Sequence, residues 1–260
     1  MTFAELHRRE VPLLLPNAWD LPSALAMVDA GYPAIGTTSF GVASSAGYPD
    51  GARASRIPTR SLAAALRGLP AFVTVDVEDG YSDDPEEVAV YVGALPVHGI
   101  NIEDSTAENL IDPERHAAKV RAIKARTPDV FVNARVDTYW LGQRADVEET
   151  LRRARLYEAA GADGIFVPGA GEPELLRTLA SSISVPLNVL AVPGWSLREL
   201  GELGVRRVST GSLPYRAAMR AALDAAAAVR DGAEPPPAAL YQDLQERLVR
   251  YNAGRRRAVS

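Results

Sequence analysis

The stretch AFVTVDVEDGYSDDPEEVAVYVGALPVHGINIED, residues 71–104, decides the fold. It opens on an apolar, β-branched run that stops at Asp76 and closes on a second apolar run, GINIED. Between them Asp84 suits a helix N-cap and Pro85 the first helical position. The acids that follow suit the positive end of the helix dipole, and Val88, Val92 and Leu95 share one face. Both apolar runs are near-continuous rather than alternating, as parallel strands covered on both faces are.

The same grammar repeats outward in both directions. Candidate strands lie at 11–16, 33–38, 71–76, 99–104, 130–135, 164–169, 185–190 and 205–210. Between them, DPERHAAKVRAIKAR repeats the Asp-Pro-Glu helix start, and DVEETLRRARLYEAAG carries a capping box from Asp146 to Glu149 with a glycine stop at Gly161. Helix–glycine–strand junctions recur at Gly31 and Gly204. Eight strands alternating with helices predict an α/β fold, a (β/α)8 TIM-type barrel over residues 1–230. The competing doubly wound open sheet lacks its glycine-rich fingerprint after the first strand. Beyond the barrel, DGAEPPP (231–237) reads as a linker. The remainder to 260 reads as one additional C-terminal helix, with Leu240, Leu244 and Leu248 on one stripe, packing on the barrel or on a neighbouring subunit.

Composition narrows the class of function. The 260 residues are 47% hydrophobic, enough for one large core, and the net charge of −5 gives no basic excess for nucleic acid or an anionic membrane. The one basic cluster, Arg255-Arg256-Arg257, reads as a solvated terminus. There is no cysteine, which removes disulfides, thiolate metal sites and a thiol acid or base. No run has the length of a membrane span and no apolar signal core opens the chain, so a soluble cytoplasmic protein is expected.

In such a barrel the chemistry gathers where the strands end. The second strand runs into TTSFGVASSAGYPDG, a small-residue loop suited to an anion that closes on Asp50. The third ends at Asp76, Glu78 and Asp79, and the fourth at Glu103 and Asp104. The fifth ends at Asn133, Arg135 and Asp137, and the seventh carries Asn188. Asp50, Asp76, Glu78 and Glu103 would form a negative cup offset by Arg135 alone. Magnesium, a hard cation that takes oxygen ligands and keeps its waters, resolves that excess. The planar fork of Arg135 suits a substrate carboxylate. Taken singly, Asp79 and Asp104 read equally as helix caps, and Asp137 as a local partner of Arg135. His7, His98 and His116 sit outside the strand ends and read as surface or packing residues.

The motifs TTSFGVASSAGYPDG, VDVEDGY, GINIEDS, VNARVDTY, PLNVLAVPG and VSTGSLPYRAAM, in this order over residues 3–230, resemble the isocitrate lyase/phosphoenolpyruvate mutase superfamily. The likeness is nearest to its small phosphonomutase-like members. The resemblance implies a magnesium-dependent lyase that cleaves a C–C bond of a small 2-oxo or 2-hydroxy carboxylate through a pyruvate-enolate-like species. It implies Asp76 as a direct magnesium ligand, Glu78 and Glu103 holding the ion's waters, and Asp50 supporting that shell. Thr38, Ser39, Phe40 and Arg135 would bind the carboxylate or phosphonate and Asn188 the distal part, with Asp50 and Arg135 the residues expected to be catalytic. The resemblance also implies a homodimer or homotetramer in which the helix of SLPYRAAMRAALDAAAAVRDG is exchanged.

One departure matters. Lyases of this kind carry a lysine- and cysteine-bearing flap after the fourth strand, where this chain has the short STAENLIDPERH. A wetter site favours decarboxylation of a 2-oxo diacid or simple retro-aldol cleavage. The alternatives are a phosphonate P–C hydrolase or mutase, and a catalytically silent ligand-binding barrel.

Overall fold

The computed structural model describes residues 1–259, the last five by backbone alone, so the Arg255–Arg257 side chains lie outside the described residues. Its strands are β1 (Leu13–Leu15), β2 (Asn17–Ala18), β3 (Ala34–Thr37), β4 (Phe72–Asp76), β5 (Gly99–Glu103), β6 (Ser105–Thr106), β7 (Asn109–Leu110), β8 (Phe131–Arg135), β9 (Gly164–Phe166), β10 (Leu187–Leu190) and β11 (Val205–Ser209). Nine of them form one parallel sheet in the order β1-β11-β10-β9-β8-β5-β4-β3-β2. All eight expected strands are therefore present. The first is cut in two at Pro16, which has no N–H to give the ladder. Its carbonyl still accepts from Gly36 N at 2.8 Å. Because β1 pairs with β11 and β2 with β3, the two halves of one strand bring the sheet round on itself as a nearly closed barrel.

Capping follows the sequence closely. The Asp84 carboxylate accepts from Glu86 N ahead of helix Pro85–Gly93, and that of Asp112 from Glu114 N ahead of Pro113–Arg126. The expected box at Asp146 is half formed. Asp146 accepts from Glu149 N, but the Glu149 side chain turns to Arg152 and Arg153 instead. Between strands and helices the core is aliphatic, with Val75, Ile100, Ile102, Val120, Ile123 and Val132 buried.

The foot of the barrel is filled from the N-terminus. Phe3 meets the rings of Phe72 and Phe131 at 5.7 and 5.4 Å, and His7 stacks on Phe131 at 4.4 Å. Burial, helped by the nearby charge of Arg207, pushes the His7 pKa down to about 3, so the ring packs as a neutral group.

The two last helices behave differently from the rest. Helix Leu213–Arg230 has no buried residue, and Met219, Leu223 and Val229 are exposed. Helix Tyr241–Val259 returns to the barrel; of the expected stripe, Leu240 and Leu244 are exposed on this chain and Leu248 is half-buried. The polar contacts of this helix are Arg247 and Arg250, which reach Asp29 at 2.9 and 3.1 Å, and the Tyr251 hydroxyl, which donates to Ala65 O. Among the described residues no helix is long and apolar enough to cross a membrane.

Candidate active site

At the C-terminal ends of the strands lies a cavity of about 630 Å³. The structure brings Thr38, Ser39, Phe40, Asp50, Asp76, Glu78, Glu103 and Arg135 together on its wall. Asn188 is not on that wall. It lies two residues before the end of β10, a layer below the rim, buried with both amide atoms lacking a protein partner. The segment after β3 is also not the expected loop. It forms a short helix, Ser39–Ser45, whose first turn faces the cavity with amides unused by the helix itself.

Arg135 is fixed from one side. Its Nη1 donates to Glu103 at 2.5 Å and its Nε to Asp137 at 2.5 Å, while the rings of Trp140 and Phe166 lie 5.6 and 5.7 Å from the guanidinium carbon. A guanidinium has five N–H donors, so three remain for a ligand. The local reading of Asp137 as a partner of Arg135 is what the structure shows.

The acids differ in how they are held. Asp76 accepts a 3.1 Å bond from Glu78 N and gives its own N–H to Thr37, with no cation paired to it among the described residues. Glu78 sits at φ +49 and is turned toward the neighbouring loop, accepting from Arg53 N at 2.8 Å and from Ser55 Oγ at 2.5 Å. Burial raises the pKa of Asp76 to about 6, and the charges of Asp50 and Glu78 add to that against the pull of Arg135. Burial likewise lifts Asp50 and Glu78, and pushes Glu103 well above the usual carboxylate range despite its partner Arg135.

Four acids that all resist ionisation around one shared cation fit a missing positive charge. Among the described residues no three acid or histidine side chains converge tightly enough to wrap a metal alone. An ion held here would keep waters, which is the habit of magnesium. The donor set thus fits that ion, with Asp76 the carboxylate most available to it.

Asp79 and Asp104 gain partners that sequence reading missed: Arg53, Lys119, Arg153 and Tyr157. Asp79 does not cap a helix; Arg53 chelates it, Thr106 donates to it at 2.7 Å, and the buried Lys119 donates to its carbonyl at 2.8 Å. Burial opposes its charge, but Arg53 and Lys119 prevail and hold its pKa below the ordinary value. Asp104 accepts from Arg153 at 2.9 Å, Tyr157 at 2.7 Å and the N–H of Asp137 at 2.8 Å. These two clusters anchor the chain just beyond β4 and β5. The first half of STAENLIDPERH, Ser105–Leu110, forms a tight hairpin, β6–β7, over the cavity rim. It is held by Thr106 to Asp79 on one side and on the other by Gln143, which bonds Leu110 N and Glu108 O.

Residues 3–230 match the family model of phosphoenolpyruvate phosphomutase. The chain is 58% identical over 251 residues to an uncharacterized protein of Mycobacterium tuberculosis, covering 96% of this chain and 97% of that one. It is 33% identical over 178 residues to the oxaloacetate decarboxylase of Ectopseudomonas mendocina, covering 63% of this chain and 60% of the relative. A crystal structure of a phosphonopyruvate hydrolase complex with oxalate and Mg++ superposes with a TM-score of 0.76 over 100% of this chain and 98% of its own. At 22% identity that likeness is one of fold.

Proposed function

Since the chain belongs to the phosphoenolpyruvate phosphomutase family, whose members are carbon–carbon lyases and mutases, we propose that it is a magnesium-dependent decarboxylase of a small 2-oxo diacid such as oxaloacetate. The observation that carries this reading is the hairpin β6–β7. It is tied on both sides and, in a chain without cysteine, offers no thiol acid or base. Decarboxylation asks for neither a closing flap nor a protein thiol.

The three free N–H groups of Arg135 and the first-turn amides at Ser39 and Phe40 would grip the carboxylate next to the carbonyl. Asp76 would hold magnesium directly, with Glu78, Glu103 and Asp50 around its waters. When bound, the ion supplies positive charge where the carbonyl oxygen gains electrons. The distal carboxylate leaves as carbon dioxide, its bonding electrons pass into the enolate, and water takes the place of a side chain in delivering the proton. Retro-aldol cleavage uses the same grip. Hydrolysis of a P–C bond is the competing reading, because a helix N-terminus accepts phosphonate as readily as carboxylate.

The decisive assay incubates purified protein and magnesium with oxaloacetate or with phosphonopyruvate, following carbon dioxide and phosphate. Carbon dioxide release that stops on chelation is expected. Phosphate release with oxaloacetate untouched would hand the site to the second reading, and tight binding without turnover to a silent barrel. The bare helix Leu213–Arg230 further supports a homodimer or homotetramer that covers it.

A further inference from the structure

Below the acids the barrel holds a second polar layer. The Oδ1 of Asn101 on β5 accepts two bonds, from Arg207 Nη2 of β11 at 3.0 Å and from Asn133 Nδ2 of β8 at 2.9 Å. A guanidinium can only donate, so the amide oxygen must face Arg207 and the nitrogen must face away. Asn101 lines the cavity, and its Nδ2 has no hydrogen-bond partner among the described residues, yet it is not one of the sealed-off atoms. Its strand neighbour in register is Asp76.

Arg207 is fully buried, and its Nε and Nη1 lack partners. No carboxylate pairs with it among the described residues. A cation in that position makes the floor attractive to anions, whereas the rim above it is built for a cation. The polar end that this charge can present to the cavity is the Asn101 amide.

We propose that Asn101 is a substrate-binding residue: Arg207 and Asn133 clamp its amide oxygen so that its NH2 group donates to an acceptor oxygen at the cavity floor. Asn101 touches the ligand, and Arg207 is a positioning residue acting through it. The identity of the ligand, a 2-oxo carboxylate, rests on the decarboxylase reading above.

The test uses the full chain with magnesium and oxalate, a planar mimic of a 2-oxo carboxylate, by titration calorimetry, with thermal unfolding of each variant. Asn101→Asp keeps the clamped oxygen and turns the donor into an acceptor. It should weaken oxalate by about 10- to 150-fold, the worth of one hydrogen bond to a charged group. Asn101→Ser, too short to reach, should do the same if Asn101→Asp does not fold. Arg207→Met should leave stability equal or higher, because it removes a fully buried charge with no carboxylate bonded to it among the described residues, and still weaken oxalate. A merely structural arginine would not divide the two readouts in that way. In the Asn101→Asp background Arg207→Met should cost no further affinity, since the pair acts as one unit. A folded Asn101 variant that binds oxalate as tightly as the wild type overturns the proposal, and so does an additive double variant. Oxalate binding that depends on Asn101, with no carbon dioxide released from oxaloacetate, supports the floor and overturns the decarboxylase reading. Wild-type protein that binds no oxalate overturns both.

Discussion

Asp76, the proposed metal ligand, is held in the fold at a cost to its charged form. Its pKa, about 6 in the folded chain against an ordinary 3.8, means the fold binds the proton more tightly than the unfolded chain does. Stability is therefore greatest with the proton on and falls as pH rises from about 4 to about 6, by roughly 3 kcal/mol for this one group. Urea midpoints of chelator-treated protein should trace that fall, Asp76→Asn should flatten it, and magnesium should restore the loss. A wild-type curve that matches Asp76→Asn across this range would refute the assignment. Arg135→Lys keeps a charge but cannot hold Glu103, Asp137 and a carboxylate at once, so kcat/KM for the 2-oxo acid should drop at least about 100-fold. These residues were legible because each stands where an apolar run stops. Asn101 and Arg207 were not. Asn101 is a lone polar residue in an apolar run and Arg207 the second of two adjacent arginines, and their pairing exists only once the barrel has closed across 106 positions of chain.

Among the elements, the hairpin β6–β7 carries local strain that can be measured. Ala107 and Glu108 at its turn have φ of +48 and +60, a geometry that Asn-Gly adopts freely and that ordinary residues reach at a cost of about 1–2 kcal/mol each. Replacing the pair with Asn-Gly should raise the melting temperature, and an unchanged value would mean the turn is not strained. Thr106→Val should cut one of its ties, and hydrogen exchange at Ile111, whose N–H lies at the base of the hairpin on Asp104 O, should quicken. Sequence grammar could not show a hairpin here, for it lacks the usual turn pair. It did show all eight strands, because covered strands must be apolar throughout, and it placed Asp84 and Asp112 as caps. The C-terminal helix it expected is present, and Arg247, Arg250 and Tyr251 tie it to the barrel, contacts that periodicity alone does not reveal.

For the whole molecule, helix Leu213–Arg230 presents apolar side chains that nothing among the described residues buries. Eighteen residues without a buried side chain make a marginal helix in water, and Met219, Leu223 and Val229 lose their hydration cost only against another surface. Sedimentation should find a dimer or tetramer at micromolar concentration, and Leu223→Glu should shift it toward monomer. A wild-type monomer would remove that reading. An exchanged helix here is what the resemblance implied; the amphipathic pattern alone does not say which partner answers it. The stack of Phe3, Phe72, His7 and Phe131 has a consequence for traffic. With the foot of the barrel stoppered, arrival and departure share one doorway. On the decarboxylase reading, the gas, small and uncharged, slips out first, while the acid gripped by Arg135 leaves last. Pyruvate should then compete directly with the incoming diacid, and carbon dioxide should not.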